Sequence, residues 1–130
     1  MELLIGEMAK KCNLKITTLR YYEDLGLIKP MRNKENQRIY SESEVEWILF
    51  IKRLKKINMS IKEIQNYSDL RNLGDKTIFE RMNLLEEQKN KLIKEQEELQ
   101  SSISYLDKKI EIYKYKINLK WWFYWIFNIF

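Results

Sequence analysis

The apolar residues near the start of the chain follow two short helical patterns. They recur at helical spacing over residues 4–12 and, after the turn-forming Asn13, again over residues 16–25. Two short helices joined by a tight turn form a helix-turn-helix motif. The pattern therefore predicts such a motif close to the N-terminus.

Residues 26–40 leave the helical pattern. Gly26 suits the left-handed backbone that ends a helix, and Pro30 cannot continue one. The rest of the stretch has extended, basic ends around a polar centre at residues 33–36, which is typical of a small hairpin. We expect a β-hairpin wing here.

Two serine–glutamate pairs predict where the next two helices begin. Ser41 with Glu44, and Ser60 with Glu63, have the spacing of a capping box, in which each side chain accepts a hydrogen bond from the other residue's amide. The predicted buried stripe of the first helix consists of Val45, Ile48, Leu49, Leu54 and Ile57. Its polar side carries the densest basic cluster of the chain, formed by Lys52, Arg53, Lys55 and Lys56. The second, shorter helix should fold back and close a small core.

A heptad repeat follows Gly74 and Asp75, which mark the predicted end of the first domain. Apolar residues at its two core positions define what we call the dimer seam: Ile78, Met82, Leu85, Leu92, Leu99, Ile103, Leu106, Ile110, Tyr113 and Ile117. Lys89 and Gln96 interrupt it, and polar residues at such positions can fix register. A long solvated helix is marginal alone, so the seam predicts a coiled coil with a second chain. Packing of the stripe onto its own N-terminal domain is the alternative.

The last ten residues, 121–130, read W-W-F-Y-W-I-F-N-I-F. This is well short of the roughly 20 apolar residues that span a membrane. Packing across a dimer is the favoured explanation of this tail, followed by a surface for a hydrophobic small-molecule effector. That surface would consist of Trp121, Trp122, Phe123, Tyr124 and Trp125. Contact with a membrane interface, beside three nearby lysines, and an accidental extension of the reading frame are less favoured.

The charge balance favours a polyanionic partner. Among the 130 residues, 24 Lys and Arg stand against 19 Asp and Glu, giving a net charge of +5. Cys12 is the only cysteine and there is no histidine, which argues against a disulfide within the chain, a metal site and acid–base catalysis. We therefore expect neither an enzyme nor a cofactor. The N-terminus lacks the features of an export signal, so we expect a cytoplasmic protein.

The second helix carries a candidate DNA-reading surface. Thr17, Arg20 and Tyr21 lie close together at i, i+3 and i+4. Arginine can bind a guanine edge with two hydrogen bonds, and threonine or tyrosine can reach bases or phosphates. Arg38 and Tyr40 on the wing, with the basic cluster, could hold the phosphate backbone. Ordinary surface or core roles for these side chains are the alternative.

Several motifs together resemble a known family. The segments I-G-E-M-A-K-K, T-L-R-Y-Y-E-D-L-G-L-I-K-P and R-I-Y-S-E-S-E-V, with F-I-K-R-L-K-K-I-N-M-S-I-K-E-I after them, look like the winged-helix DNA-binding domain of mercury-resistance-regulator (MerR) type regulators. The segment G-D-K-T-I-F-E-R-M-N-L-L-E-E-Q-K resembles the start of that family's coiled coil. The likeness covers about nine-tenths of the chain.

The resemblance implies a homodimer joined by an antiparallel coiled coil, with its two helix-turn-helix units in successive major grooves of a pseudo-palindrome between promoter elements. Binding would distort the spacer so that RNA polymerase can engage. Transferred by position, Thr17, Thr18, Arg20 and Tyr21 would meet the groove. Tyr22, Arg38 and Tyr40 would contact phosphates.

Two features depart from the family pattern. The wing usually carries Gly-Tyr before its arginine, whereas this chain has Asn36-Gln37; asparagine tolerates the left-handed backbone that such a turn needs. The metal-responsive members use cysteines around the coiled coil, whereas Cys12 lies in the first helix and is better explained as a buried core thiol.

The sequence thus predicts a mainly all-α fold. Residues 1–74 form a winged helix-turn-helix domain, residues 75–119 a coiled-coil helix and residues 120–130 an aromatic tail. The predicted function is a transcription regulator at promoter DNA, acting with RNA polymerase. The alternatives are an architectural or recombination-accessory DNA-bending protein, and a coiled-coil scaffold whose tail contacts a membrane or partner.

Overall fold

The computed structural model describes residues 2–129 and is mainly helical. Its elements are β1 (Glu2–Leu4), α1 (Ile5–Cys12), α2 (Ile16–Asp24), β2 (Met31–Arg32), β3 (Arg38–Ser41), α3 (Ser43–Lys56), α4 (Ile61–Asn72), a 3-10 turn (Asp75–Thr77) and α5 (Ile78–Ile129). The predicted helix-turn-helix, small wing and long C-terminal helix are confirmed. The chain divides into two compact units after Gln88, within α5.

The wing belongs to a three-stranded antiparallel sheet with the order β1-β3-β2. Leu3 of β1 pairs with Tyr40, and Met31 of β2 pairs with Ile39. Residue 4 had been assigned to the first helix, but it ends a strand instead. A three-residue strand is too short to show alternation, and its partner lies far along the chain.

The turn of the wing is held by asparagines. Asn36 adopts a left-handed backbone with φ 61°, as expected from the Asn36-Gln37 sequence. The Asn33 side-chain oxygen accepts hydrogen bonds from the amides of Glu35 and Gln37, at 3.0 and 2.9 Å. These bonds close the hairpin without the usual glycine.

One of the two capping boxes forms differently from the prediction. Ser41 is the last residue of β3, and α3 begins at Ser43. The Ser41 amide donates to the Glu44 carboxylate at 3.2 Å, but the Ser41 hydroxyl lies beside that of Ser43, at 2.8 Å, and does not cap the helix. At the start of α4, Ser60 Oγ does accept a hydrogen bond from the Glu63 amide, at 3.1 Å, as predicted.

The core of the first unit lies between the sheet and α1 to α4. Its buried hydrophobic residues are Leu3, Met8, Ala9, Cys12, Leu19, Tyr22, Leu27, Ile28, Tyr40, Trp47, Ile48, Ile51, Leu54, Met59, Ile64 and Tyr67. The predicted stripe of α3 was wrong at Leu49, which is exposed, whereas Trp47 and Ile51 are buried. The Trp47 indole can be buried because its N–H donates a hydrogen bond to the Leu27 carbonyl oxygen, at 2.8 Å.

The first turns of α5 take part in this core. Leu84 and Leu85 pack against it, and Gln88 is buried and donates to the Ile57 carbonyl oxygen, at 2.8 Å. Leu85, a predicted residue of the dimer seam, is partly buried against the core of its own chain. This contact supports the alternative of packing on the chain's own N-terminal domain for Leu85, and its place in a dimer stays a prediction.

The second unit is the remainder of α5 and exposes most of its apolar residues. Those of the dimer seam that are exposed here are Leu99, Ile103, Leu106, Ile110, Tyr113 and Ile117. The tail residues Trp121 to Trp125 continue the helix and are also exposed, whereas Phe130 lies outside the described residues. Over residues 2–129, no helix is apolar over a long enough stretch to cross a bilayer.

Candidate nucleic-acid interface

The helix-turn-helix is shaped by a left-handed residue and two buried anchors. Asn13 caps α1 with φ 52°, and its amide bonds to the last carbonyls of that helix. Leu19 and Tyr22, at i and i+3 on α2, are buried in the core. These anchors fix which face of α2 points outward.

The outward face of α2 carries the predicted reading residues. Thr17 and Arg20 are exposed, and Tyr21 is 48% exposed. Thr18 is half-buried beside them. The structure therefore brings Thr17, Arg20 and Tyr21 to one accessible surface, as the helical spacing predicts, and their contacts with DNA stay a prediction.

Two of the residues predicted to contact phosphates are buried. Tyr22 is only 4% exposed, and burial raises the pKa of its hydroxyl. Tyr40 is 1% exposed, and its hydroxyl is buried without a hydrogen-bond partner. The pKa of Tyr40 is raised mainly by burial and, to a smaller extent, by the nearby Glu23 carboxylate. Both rings are core residues in this conformation, which argues against the predicted phosphate contacts of these two tyrosines; the contacts themselves stay a prediction.

Arg38 has a different role from a free phosphate contact. Its Nε donates to the Glu23 carboxylate near the end of α2, and the two side chains are 25% and 26% exposed. This ion pair joins the wing to α2. Part of the guanidinium remains accessible, so a phosphate contact from it stays a prediction.

The basic cluster of α3 splits into two groups. Lys52 is half-buried and its ammonium donates to the carbonyl oxygens of Cys12 and Asn13, each at 3.1 Å. A lysine that binds the last carbonyls of a helix stabilises its C-terminus. Lys52 therefore fastens α3 to the helix-turn-helix turn, whereas Arg53, Lys55 and Lys56 are exposed.

Some positioning residues were not predicted from the sequence. Gln65 on α4 donates to the Leu25 carbonyl oxygen at 3.0 Å, which supports the end of α2. Arg32 on the wing is exposed, and one of its guanidinium nitrogens donates to the Asn36 carbonyl oxygen at 2.9 Å. The sequence offered one sign of each role. Gln65 is a polar residue among the apolar positions of α4, and Arg32 is a basic residue in the wing.

Cys12 is a core residue. Its thiol lies 3.6 Å from the Met8 sulfur, and burial raises the pKa of the thiol despite the nearby lysines. Within residues 2–129 no cluster of histidine, cysteine or acidic side chains has the arrangement of a metal site.

The chain matches two family models. The model described as "MerR HTH family regulatory protein" matches residues 3–70, and the one described as "MerR, DNA binding" matches residues 45–109. The first of these covers half of the chain. The two matches overlap in α3 and α4 and together include both the helix-turn-helix and part of α5.

Among the curated relatives, the HTH-type transcriptional regulator AdhR of Bacillus subtilis is 39% identical over 90 residues, which is 68% of this chain and 64% of that protein. The mercuric resistance operon regulatory protein of Bacillus cereus is 43% identical over 65 residues, 49% of each protein. The chain thus spans between half and two thirds of the length of these relatives.

Solved structures show the same fold. A structure of HiNmlR, described as a MerR family regulator lacking the sensor domain and bound to promoter DNA, superposes with a TM-score of 0.74 at 28% identity, over 88% of this chain and 91% of that one. A putative MerR family regulator from Listeria monocytogenes gives 0.78 at 32% identity, over 86% of each chain. With the family model that matches residues 3–70, these findings show that the chain belongs to the MerR family of helix-turn-helix regulatory proteins.

Proposed function

We propose that this chain is a sequence-specific transcription regulator that binds a pseudo-palindromic promoter as a homodimer and distorts the spacer DNA. The observation that carries the proposal is the exposed face of α2, on which Thr17, Arg20 and Tyr21 stand together while Leu19 and Tyr22 hold the helix from behind. A rigidly backed helix with an exposed arginine is suited to reading base edges in a major groove.

Backbone contacts are assigned to the surfaces on either side of α2. Lys52 joins α3 to the end of α1, so the exposed cations Arg53, Lys55 and Lys56 belong to the helix packed against the reading unit. The Arg38–Glu23 pair holds the wing to α2. Bending DNA costs about 1–6 kcal/mol by elastic estimates, and several phosphate contacts are needed to offset that cost.

Homodimerisation is assigned to the dimer seam of α5 beyond Gln88. Its apolar residues from Leu99 to Ile117 are exposed in the single chain and follow the heptad spacing of a coiled coil. An antiparallel pairing, as the family resemblance implies, would place two reading helices on successive grooves. That arrangement requires a pseudo-palindromic site.

The regulator named AdhR and the HiNmlR structure bound to promoter DNA support the same assignment. We infer a regulator and not a catalyst, located with the DNA in the cytoplasm and acting together with RNA polymerase. The exposed aromatic tail residues Trp121 to Trp125 are the candidate surface for an effector.

A footprint on the DNA upstream of the chain's own gene tests the proposal, with and without polymerase, at fixed salt and against a scrambled competitor. We expect protection of a palindrome between the promoter elements, with enhanced cleavage at its centre. Binding without sequence preference would contradict it and favour an architectural DNA-bending protein. No binding would favour the coiled-coil scaffold.

A further inference from the structure

The C-terminal part of α5 carries a second apolar stripe with coiled-coil spacing. From Tyr105 onward, steps of three and four residues connect apolar side chains, with one interruption at Lys108. The residues of this second seam are Tyr105, Ile112, Tyr115, Leu119, Trp122, Ile126 and Ile129. A spacing of 3.5 residues is the repeat that keeps one stripe facing a partner helix.

The second seam lies on the side of α5 away from the dimer seam. At 3.5 residues per turn the centres of the two stripes are roughly 150° apart around the helix axis. A partner helix on the dimer seam therefore cannot also cover Tyr105, Tyr115 or Trp122. A shallow groove lined by Tyr115, Asn118, Leu119 and Trp122 runs along this second side.

The same heptad positions upstream are polar. They carry Lys91, Lys94, Glu98 and Ser101, as expected for the solvent-facing side of a two-stranded coil. The change to apolar residues at Tyr105 is therefore not a continuation of the dimer pattern. A helix that is apolar on opposite sides needs partners on both.

The exposed area of the second seam suits a protein interface. An aromatic side chain can bury about 150–250 Å², so Tyr105, Tyr115 and Trp122, which are 70%, 65% and 55% exposed, leave roughly 400 Å² open in each chain. Two copies would bury about 800 Å² from these rings, and the four aliphatic residues raise the total toward the roughly 1,200 Å² of a specific interface.

The charges beside the second seam select one orientation of a self-association. Glu111 flanks the stripe on one side, and Lys109 and Lys116 flank it on the other. In a parallel pair of identical helices, Glu111 of each copy faces Lys116 of the other, as flanking charges do across a coiled coil. In an antiparallel pair, glutamate would face glutamate and lysine would face lysine.

We propose that the second seam binds a second copy of this chain in parallel, so that dimers associate further through the C-terminal part of α5. This proposal rests on the dimer of the proposed function. Its consequence is a regulator that can bring two bound DNA sites together.

Sedimentation equilibrium of the full chain over a concentration series tests this association. We expect the wild type to rise above the dimer mass. The double variant Ile112→Lys with Leu119→Lys should remain a dimer and should keep its footprint on a single site. The matched control, Glu98→Lys with Ser101→Lys, changes the same heptad positions upstream and should associate like the wild type.

A charge exchange tests the orientation. Glu111→Lys should weaken association about three- to tenfold, because it places like charges opposite each other across the seam. Adding Lys116→Glu should restore it, which the loss of the helix-internal contact between Glu111 and Lys114 cannot explain. A charge exchange that fails to restore association would overturn the parallel arrangement.

Four other results would overturn the proposal. One is a wild type that does not exceed the dimer mass at any concentration, and another is an Ile112 and Leu119 variant that associates like the wild type. A variant that becomes monomeric would assign the second seam to the dimer itself. Co-sedimentation of a wild-type dimer with phosphatidylglycerol vesicles, but not with phosphatidylcholine vesicles, would assign the stripe to anionic lipid. The footprint is read separately, so none of these results decides the proposed function.

Discussion

Arg38 on β3 of the wing donates from Nε to the carboxylate of Glu23 on α2, with the two atoms 2.5 Å apart and about a quarter of each side chain exposed. The pair joins the two elements proposed to contact the same DNA. The Arg38 guanidinium, which is predicted to bind a phosphate, is thus already bound to a carboxylate of its own chain.

Substitutions of the two partners separate these roles. Arg38→Ala should lower the free energy of unfolding by about 1–2 kcal/mol and weaken DNA binding, since it removes both the pair and the cation. Glu23→Gln should cost similar stability but preserve or strengthen binding, because it frees the guanidinium for phosphate. Urea denaturation and fluorescence anisotropy measure the two effects. Equal loss of affinity in both variants would show that Arg38 acts only on the wing.

Arg20 and Lys55 should differ in their effect on sequence preference. Arg20→Ala is expected to cost roughly 1–3 kcal/mol on the cognate site and to relax the preference for it, because a base contact is lost. Lys55→Ala should weaken binding to cognate and scrambled DNA alike and reduce the salt dependence. Anisotropy titrations on both DNAs at two salt concentrations make the comparison. If the two variants behave alike, Arg20 does not read a base.

The order of helices and the wing were predictable because their signals are local. Gly26, Pro30 and the Ser60–Glu63 capping box each act within a few residues. The strand at residues 2–4 was not predictable in this way, since it forms only through pairing with β3. Ser41 likewise lies at the end of β3 and does not cap α3, because its pairing with β1 is favoured over the local capping interaction.

Some residues of the candidate site are buried or bound within the chain, and these placements have a common physical cause. Tyr21 and Tyr22 are adjacent, and only the burial of Leu19 at i−3 makes Tyr22 the inward residue. Lys52 looked like its neighbours in the basic cluster, but the packing of α3 against α1 brings it to the carbonyl oxygens of Cys12 and Asn13. Tertiary packing thus decides which polar side chains of the candidate site are exposed.

Substitution of Lys52 should therefore change the stability of the fold more than it changes DNA binding. Lys52→Ala removes both hydrogen bonds to the end of α1 and is expected to lower the free energy of unfolding by about 1–2 kcal/mol. Lys56→Ala, an exposed residue of the same helix, should leave stability within about 0.5 kcal/mol of the wild type while weakening DNA binding. Urea denaturation of the two variants is the measurement. Equal stability of both would remove the structural role of Lys52.

The dimer seam can be tested by charge. Leu92→Lys with Leu99→Lys places cations at core positions of the proposed coiled coil and should give monomers in sedimentation velocity runs. Glu87→Lys with Glu98→Lys adds charge on the opposite side of the helix and should leave dimers. The monomers should also bind the palindrome far more weakly, because the two half-sites are no longer linked. An unchanged dimer in the first variant would refute the seam.

Alkaline pH should destabilise the fold through its buried hydroxyl and thiol groups. Burial raises the pKa of Cys12, Tyr22 and Tyr40 above their ordinary values of 9.0, 10.0 and 10.0. The unfolded chain therefore loses these protons first, so the stability they contribute is complete below the ordinary values and declines as pH rises through and above them. Urea denaturation at a series of pH values should show this decline.

Tyr40→Phe provides the matched variant for that series. Near neutral pH it should be as stable as the wild type or more stable by up to about 1 kcal/mol, because the Tyr40 hydroxyl is buried without a hydrogen-bond partner. In alkaline solution its decline should be smaller than that of the wild type, since one titrating group has been removed from the core. A steeper decline in Tyr40→Phe than in the wild type would contradict the raised pKa of Tyr40. A large loss of stability at neutral pH would mean that the Tyr40 hydroxyl has a hydrogen-bond partner in solution.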